Sequence, residues 1–581
     1  MFFYLCGVDK RSISIILANL KLFMGRKILI SIFLLFSFVT GVSAQQTDAP
    51  KYEYRAVWLT TLGNLDWPKT HVQSPSDIDI QKKELILILD SLQRLHINTV
   101  LLQTRVRGDL IIESDLEPYS HVFTGVTGKA PGYDPLAFAI EECHKRGMQL
   151  HAWFVTFPLG NDDHIKRLGN KALPKRNSAL CTHYKDSWYL EPGNPETAGY
   201  LTAIVMEIVK NYDVDGIHFD YVRYPDQTIG YPDAALYRKY GKGRSLANWR
   251  RDNITRIVEC IYNAVKEHKP WVRVSCSPLG KFRSLTRYSS YGWDAYSAVF
   301  QDAQRWMRKG IMDILFPMVY YKGNHFYPFV LDWCENSHGR HVVPGLGIYQ
   351  LLPEYGAWEP IEIVRQMRTS RRVPADGFAL FRTAHFMENS GGARDAYSSV
   401  CNTPALVPPM SWACEPPSAP SSLHFVRDEK GVTMQWNSVE APEGFPAMRY
   451  NVYAALGDSV DVSRIENLLA SSLDTLAYRW ECRSLKSLAL AVTAVNAYGV
   501  ESSPVTVYVP AGGALSCRTT LSLPSSLTAA ERIEIIDLYG KTVRTDSFTP
   551  EYNVENLSPG VYTLNVSDSR GVVLYSRQFL R

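Results

Sequence analysis

At 581 residues the chain is too long for one ordinary hydrophobic core, so two to four domains are expected. A hydrophobic content of 46% with 21% charged residues is that of a globular protein and excludes both a disordered chain and a membrane bundle. The formal net charge of +4 is nearly neutral, and no nucleic acid is expected as a partner, since that would require a clustered basic face.

The amino terminus reads as an export signal. Arg26 and Lys27 precede an apolar run over 28–39, and Gly41-Val42-Ser43-Ala44 supplies the small residues of a signal-peptidase site. Cleavage is expected after Ala44, and a start at Met24 would give a signal of normal length. The mature chain is therefore expected in the periplasm, secreted or at the cell surface, with no later apolar run of membrane-spanning length. Nine cysteines follow Ala44 without CxxC spacing, so neither a zinc site nor a disulfide framework is signalled. Cys143, Cys260 and Cys276 fall in apolar patterns and are expected as buried thiols, while Cys401 and Cys414 flank a Pro-rich stretch and are a candidate pair.

From about residue 52 to 400, strand-like and helix-like segments alternate. Strands are predicted over 55–59, 99–103, 149–154, 216–219, 273–277, 314–319, 342–348 and 377–381. Helices are predicted between them over 80–95, 135–146, 195–212, 248–268, 301–309, 327–337 and 361–369. This alternation suits a (β/α)8 TIM barrel over 45–404 better than an open doubly wound sheet. No GxGxxG or GxxxxGK[ST] follows the first strand, so no nucleotide cofactor is expected.

The densest chemistry lies in DGIHFDYVRYP, Asp215 to Pro225, where an apolar strand gives way to charge. In parallel barrels the carboxyl ends of the strands carry catalysis and the opposite ends carry stability. Asp220 is accordingly the first catalytic candidate, although an ion pair with Arg223 would be its structural alternative. Asp215 points to the other face by strand alternation and reads as structural, which leaves no metal site with His218 and Asp220. Arg105 and Arg107 after the second strand, His151 and Trp153 on the third, and Tyr320 and Tyr321 at the sixth converge on the same mouth. Together with His218, Tyr221, Arg223 and Tyr224 they are the candidate substrate contacts. Aromatic faces suit pyranose rings, and the arginines and histidines can bond hydroxyls or hold Asp220 ionised.

Six segments together resemble the glycosyl hydrolase-like 10 family: YRAVWLTTLGNLDWP (54–68), NTVLLQTRVRGD (98–109), YDPLAFAIEECHKRGMQLHAWF (133–154), YLEPGNPE (189–196), VDGIHFDYVRYP (214–225) and FPMVYY (316–321). The resemblance implies a barrel glycosidase of the bacterial envelope, with peptidoglycan glycan strands lacking stem peptides as one family substrate. Family members often carry Asp-Asp-Tyr where this chain has Asp220-Tyr221-Val222, and Pro-Gln where it has Pro317-Met318. Glycosidic cleavage ordinarily uses two carboxyl groups. Asp109, Asp302 and Glu388 are the candidate partners of Asp220, in that order, and Asp302 can equally cap its helix.

Residues 405–417 form a Pro-rich linker. Beyond it, 418–510 resembles a fibronectin type III sandwich through Trp436, the strand at Tyr450 to Tyr453, and AVTAVNAYGVESSP (491–504). Residues 516–581 resemble a C-terminal β module of exported Bacteroidetes proteins. Either β domain is expected to act as a spacer or to contact glycan or envelope components. Two functions follow: an exported glycoside hydrolase acting on a polysaccharide or peptidoglycan strand, or a glycan-binding scaffold that keeps the barrel without its catalysis.

Overall fold

In the computed structural model of the chain the described residues are 49–225, 228–427, 431–482, 486–509, 520–524, 527–537, 541–557 and 561–580. The expected export signal lies outside them. Eight parallel strands are β1 (Tyr54–Leu59), β2 (Thr99–Arg105), β3 (Gln149–Val155), β4 (Gly216–Asp220), β5 (Arg273–Cys276), β6 (Ile314–Leu315), β7 (His341–Val342 with Gly345–Gly347) and β8 (Gly377–Phe381). The helices that follow them in turn are α1 (Pro75–Arg94), α2 (Pro135–His144), α3 (Glu196–Asn211), α4 (Leu246–His268), α5 (Ala303–Lys309), α6 (Tyr327–Glu335), α7 (Pro360–Arg372) and α8 (Ala393–Ser398).

The hydrogen-bonded order runs from His341–Val342 through β6, β5, β4, β3, β2, β1 and β8 to Gly345–Gly347. Both ends of that order belong to β7, so the sheet closes on itself. The Val343 N–H bonds the Leu315 carbonyl at 2.8 Å on one side, and the Ala379 N–H bonds the Pro344 carbonyl at 3.0 Å on the other. Strands buried on both faces are read as apolar runs, and their alternation sorts the two cores. Tyr54, Ala56, Trp58, Leu101, Trp153 and Phe316 fill the inside of the ring. Val57, Val100, Leu150, Ile217 and Phe219 face the helices. Gly216 opens β4 because a Cβ there would lie 2.7 Å from the His151 ring. Gly377 opens β8 at φ 141°, where a Cβ would meet the Tyr54 carbonyl oxygen at 2.1 Å.

Several elements differ from their sequence-based bounds for identifiable reasons. Helix α1 starts at Pro75 because Ser74 and Asp77 form a capping box ahead of it. Strand β6 is only two residues long as a ladder, since Pro317 lacks an N–H and Met318 makes only isolated bridges to Leu279 and Gly345. Cys260 is exposed, not buried, because it falls one position off the buried stripe of α4. Cys401 and Cys414 do not pair: the first lies 3.6 Å from an Arg371 nitrogen, and the second accepts from Asn496 at 3.1 Å.

Beyond the barrel come antiparallel sheets. A three-stranded sheet (Leu423–Arg427, Val432–Trp436, Ala477–Trp480) and a four-stranded one (Leu468–Leu473, Arg449–Leu456, Leu488–Val495, Val505–Val509) share a core around Trp436, Tyr450, Val452 and Val492. The last module has its own core, with Ile533, Ile535, Tyr552 and Leu564.

The first β module is docked under the amino ends of the barrel strands. Its Glu501 accepts from Lys51 at 2.9 Å, Tyr52 at 2.6 Å, Tyr453 at 2.8 Å and Thr493 at 2.8 Å. Trp412 lies between His341 and Arg340, with its ring 4.8 Å from the imidazole, and Trp271 packs on Phe445 at 5.1 Å. Burial alone would raise the Glu501 carboxyl, but Lys51 and the hydroxyl donors outweigh it and hold it below its ordinary value. Replacing Glu501 by Ala strands a half-buried ammonium and three hydroxyls, two of them buried, so a loss of about 2–4 kcal/mol is expected in urea unfolding. An unchanged midpoint would mean that this junction contributes nothing to stability.

Candidate active site

Asp220 is the last residue of β4 and is buried at the carboxyl end of the ring. The strand end is clamped on both sides: the Thr156 N–H donates to the Asp220 carbonyl and the Ser277 N–H to the Phe219 carbonyl, each at 2.9 Å. Its carboxylate Oδ1 accepts from the Tyr221 N–H at 2.8 Å and from the Ser277 hydroxyl at 3.1 Å. Of the charges that act on this carboxylate, Arg223 is the strongest. Burial pushes the carboxyl above its ordinary value, and this outweighs Arg223, the two hydrogen bonds and Arg107, all of which act the other way. The expectation that nearby cations hold Asp220 ionised is thus corrected: desolvation of the anion wins.

Tyr221 stands at φ 52°, a left-handed conformation costly for a bulky residue. That backbone turns its ring outward between two guanidinium groups, Arg107 at 5.7 Å and Arg223 at 4.9 Å. Beside it opens a pocket of about 520 Å³. Its walls are Arg107, His121, His164, Arg167, Trp188, Tyr189, Tyr221, Arg223 and Tyr224, from the loops after β1 to β4. Tyr224 is buried and accepts from Asn253 at 3.1 Å. Across the mouth, Tyr320 stacks on Phe381 at 5.5 Å, and burial together with the Asp220 charge raises its hydroxyl well above the usual value. The Lys281 ammonium lies 4.7 Å over the ring of Tyr321.

Other predicted contacts are used elsewhere. Arg105 is fully buried, pairs with Glu117 at 2.5 Å, and donates to the Thr156 carbonyl at 2.9 Å, so it braces β3 and does not face the pocket. His218 is locked inside the ring. The Trp58 indole N–H donates to its Nε2 at 3.2 Å, which leaves the proton on Nδ1 to donate to Ser275 Oγ at 3.0 Å. Ser275 in turn donates to the Ile217 carbonyl at 3.3 Å. Burial holds His218 neutral, and the same cause pushes His151 down to about 3. His151 lies level with Gly216 and Trp153 with His218, both enclosed in the ring beneath the mouth.

The three candidate partner carboxylates do not line the pocket. Asp109 is fully buried behind it, and its Oδ1 accepts the Arg107 N–H at 2.9 Å. Asp302 lines a different depression, with Arg251, Asp252 and Arg305. Glu388 follows a short helix after β8, away from the pocket walls. Asp215 turns outward to the Leu150 N–H at 2.8 Å and to His144 at 2.9 Å, as strand alternation requires. The sequence reading passed over Ser277, His121, His164, Arg167 and Trp188. Ser277 shares the alternation of Ser275 and was open to that argument; the others sit in long loops where no periodicity applies.

The sequence pattern of the glycosyl hydrolase-like 10 family matches residues 53–365. Glycosyl hydrolase YngK of Bacillus subtilis (strain 168) is 31% identical over 420 residues, covering 69% of this chain and 82% of its own. The chain belongs to the glycosyl hydrolase-like 10 family. Glycosyl hydrolase DigH of Escherichia coli (strain K12) is 34% identical over 301 residues, covering 48% of this chain and 67% of its own. Among solved structures, the glycoside hydrolase domain of PgaB (BpsB) from Bordetella bronchiseptica is 14% identical with a TM-score of 0.42, covering 60% of this chain and 99% of that one. Residues 510–577 match a secretion system C-terminal sorting domain, which points to a secreted or cell-surface protein. Among the described residues no helix is long and apolar enough to cross a membrane.

The raised carboxyl of Asp220 has a consequence for stability. A folded-state value above the unfolded one means that stability is full at low pH and is lost as pH rises through the raised value. Asp220→Asn, neutral at every pH, is therefore expected to match the wild-type melting temperature near pH 3 and exceed it near pH 7. A melting difference that stays flat from pH 3 to 8 would show that the buried carboxylate is not destabilising.

Proposed function

We propose that this chain is an exported glycoside hydrolase that cleaves O-glycosidic bonds of a bacterial envelope glycan, with peptidoglycan strands as the first substrate to try. The reading rests on one observation: a buried carboxyl at the end of β4, raised by its surroundings, beside a pocket walled by aromatic rings and hydrogen-bond donors. Burial favours the protonated form of this carboxyl, and that form can give its proton to the leaving glycosidic oxygen. With Oδ1 anchored by Tyr221 and Ser277, Oδ2 is the oxygen to carry that proton. Trp188 and Tyr221 offer ring faces for the sugar. The sorting-domain match supports export.

One observation favours the second reading, a glycan-binding barrel without hydrolysis: neither Asp220 nor any of Asp109, Asp302 and Glu388 is among the described residues that line the pocket. Incubation with peptide-free glycan strands and a panel of other envelope polysaccharides separates the two. The wild type is expected to release new reducing ends, and Asp220→Asn to do so at least ~100-fold more slowly. Equal rates would remove Asp220 from the chemistry. Binding without products from either protein would establish the scaffold.

A further inference from the structure

We infer that the pocket beside Asp220 is built to hold an anionic group on the glycan, with Arg107 as the residue that selects for it. This rests on the glycan-binding part of the function proposed above and specifies the sugar.

The main chain of Arg107 is fixed from both sides. Its N–H donates to Asp109 Oδ1 at 2.9 Å, in a turn that passes through Gly108 at φ 72°. Its carbonyl faces His164 Nε2 at 2.9 Å. A carbonyl can only accept, so His164 carries its proton on Nε2 and leaves Nδ1 as an acceptor. That Nδ1 receives a nitrogen of Arg167 at 3.4 Å, bringing the second guanidinium to the pocket wall. Gly160 gives this histidine its place, since a Cβ there would lie 2.6 Å from the ring.

The side chain of Arg107 is placed as carefully. Its guanidinium lies on the ring of Tyr221, whose strained backbone turns that ring outward. The guanidinium has no carboxylate partner and no hydrogen bond among the described residues. The nearest acid in sequence, Asp109, spends Oδ1 on the Arg107 N–H, and its buried Oδ2 makes no hydrogen bond to that guanidinium. Asp220 takes its bonds from Tyr221 and Ser277 instead. A half-buried guanidinium has five N–H donors to satisfy, and resting it against the Tyr221 ring above a fixed main chain lowers the entropic cost of meeting a partner. No aspartate or glutamate is among the described residues that line the pocket, whereas Arg107, Arg167 and Arg223 are. A neutral sugar satisfies such donors weakly. A carboxylate or sulfate matches the planar fork with charge-assisted bonds. Arg107 lies over the ring of Tyr221, whose N–H bonds the Asp220 carboxylate, so the anion belongs to a sugar adjoining the bond to be cleaved.

The test is equilibrium binding to the full-length Asp220→Asn protein, which keeps turnover out of the reading. Four probes separate the sources of charge: tetragalacturonate (ring carboxylates), peptide-free muramyl strands (lactyl carboxylates), a chondroitin sulfate tetrasaccharide (sulfate esters with ring carboxylates) and neutral chitotetraose. At least one charged probe is expected to bind about ten- to a hundredfold more tightly than chitotetraose, a preference that shrinks as salt is added. Adding Arg107→Gln should bring that ratio to within about threefold, while Arg107→Lys retains part of it. Near-ultraviolet circular dichroism checks that both variants are folded, and the ratio is the readout whatever the absolute affinity. Equal affinity for charged and neutral probes, no binding of any probe, or a ratio untouched by Arg107→Gln would each overturn the inference. Hydrolysis by the wild type is read separately: neutral chains cut as fast as charged ones would sink the inference and spare the hydrolase. Charged chains bound but never cut would do the reverse.

Discussion

Eight parallel strands that close into a ring turn half of their side chains into a space that water does not reach. Every polar group placed there must find a protein partner or remain uncharged, because an unsatisfied buried donor or acceptor costs about 1–3 kcal/mol. The relay from Trp58 through His218 and Ser275 to the Ile217 carbonyl is the solution at mid-height. It fixes one tautomer of the histidine and removes it from proton chemistry. His151, lower in the ring, is kept neutral by the same desolvation. Asp220 stands one step further along β4, where the ring opens, and there the same constraint produces a chemical group instead of a structural one. It is buried enough to favour the protonated carboxyl, and the residues that follow it, Tyr221 and Arg223, line the pocket at the mouth.

Position along the strand therefore separates residues that look alike in the sequence. Asp215 and Asp220 lie five residues apart, yet the first turns outward to His144 and the Leu150 N–H, while the second turns inward. Arg105 and Arg107 are two residues apart. Arg105, on β2, is consumed by Glu117 and by carbonyls at the end of β3. Arg107, past the strand, reaches the pocket. The pocket walls come from the segments that follow β1 to β4.

The opposite end of the barrel is given over to assembly. Lys51, Tyr52, His341 and Arg273 all lie at or before the starts of their strands, and each meets a residue of the segment or module that follows the barrel. A module fixed there is on the far side from Asp220. It serves as a base for the barrel, and its reach toward a bound glycan is limited by the height of the strands.

The repeating pattern of the fold was legible in the chain because burial on both faces of a parallel strand leaves an apolar signature; the start at Pro135 was read correctly, while the capping box at Ser74 that begins the first helix was passed over. The placement of Asp220 at a strand end and of Asp215 on the other face was legible too, since alternation is local. The brevity of β6 and the outward turn of Cys260 have local causes, Pro317 and the helical stripe, whereas the separation of Cys401 from Cys414 depends on neighbours distant in sequence. The same holds for the site. That Arg105 is spent and Arg107 is not, that His218 is locked by Trp58, 160 residues earlier, and that Asp302 faces another depression follow from which loops meet above the ring. By itself the sequence determined the barrel, its polarity and the carboxyl at its mouth, because these arise from periodicity within single segments. Only the tertiary structure decided which charged groups find partners, because pairing is a matter of distance across the fold and not along the chain.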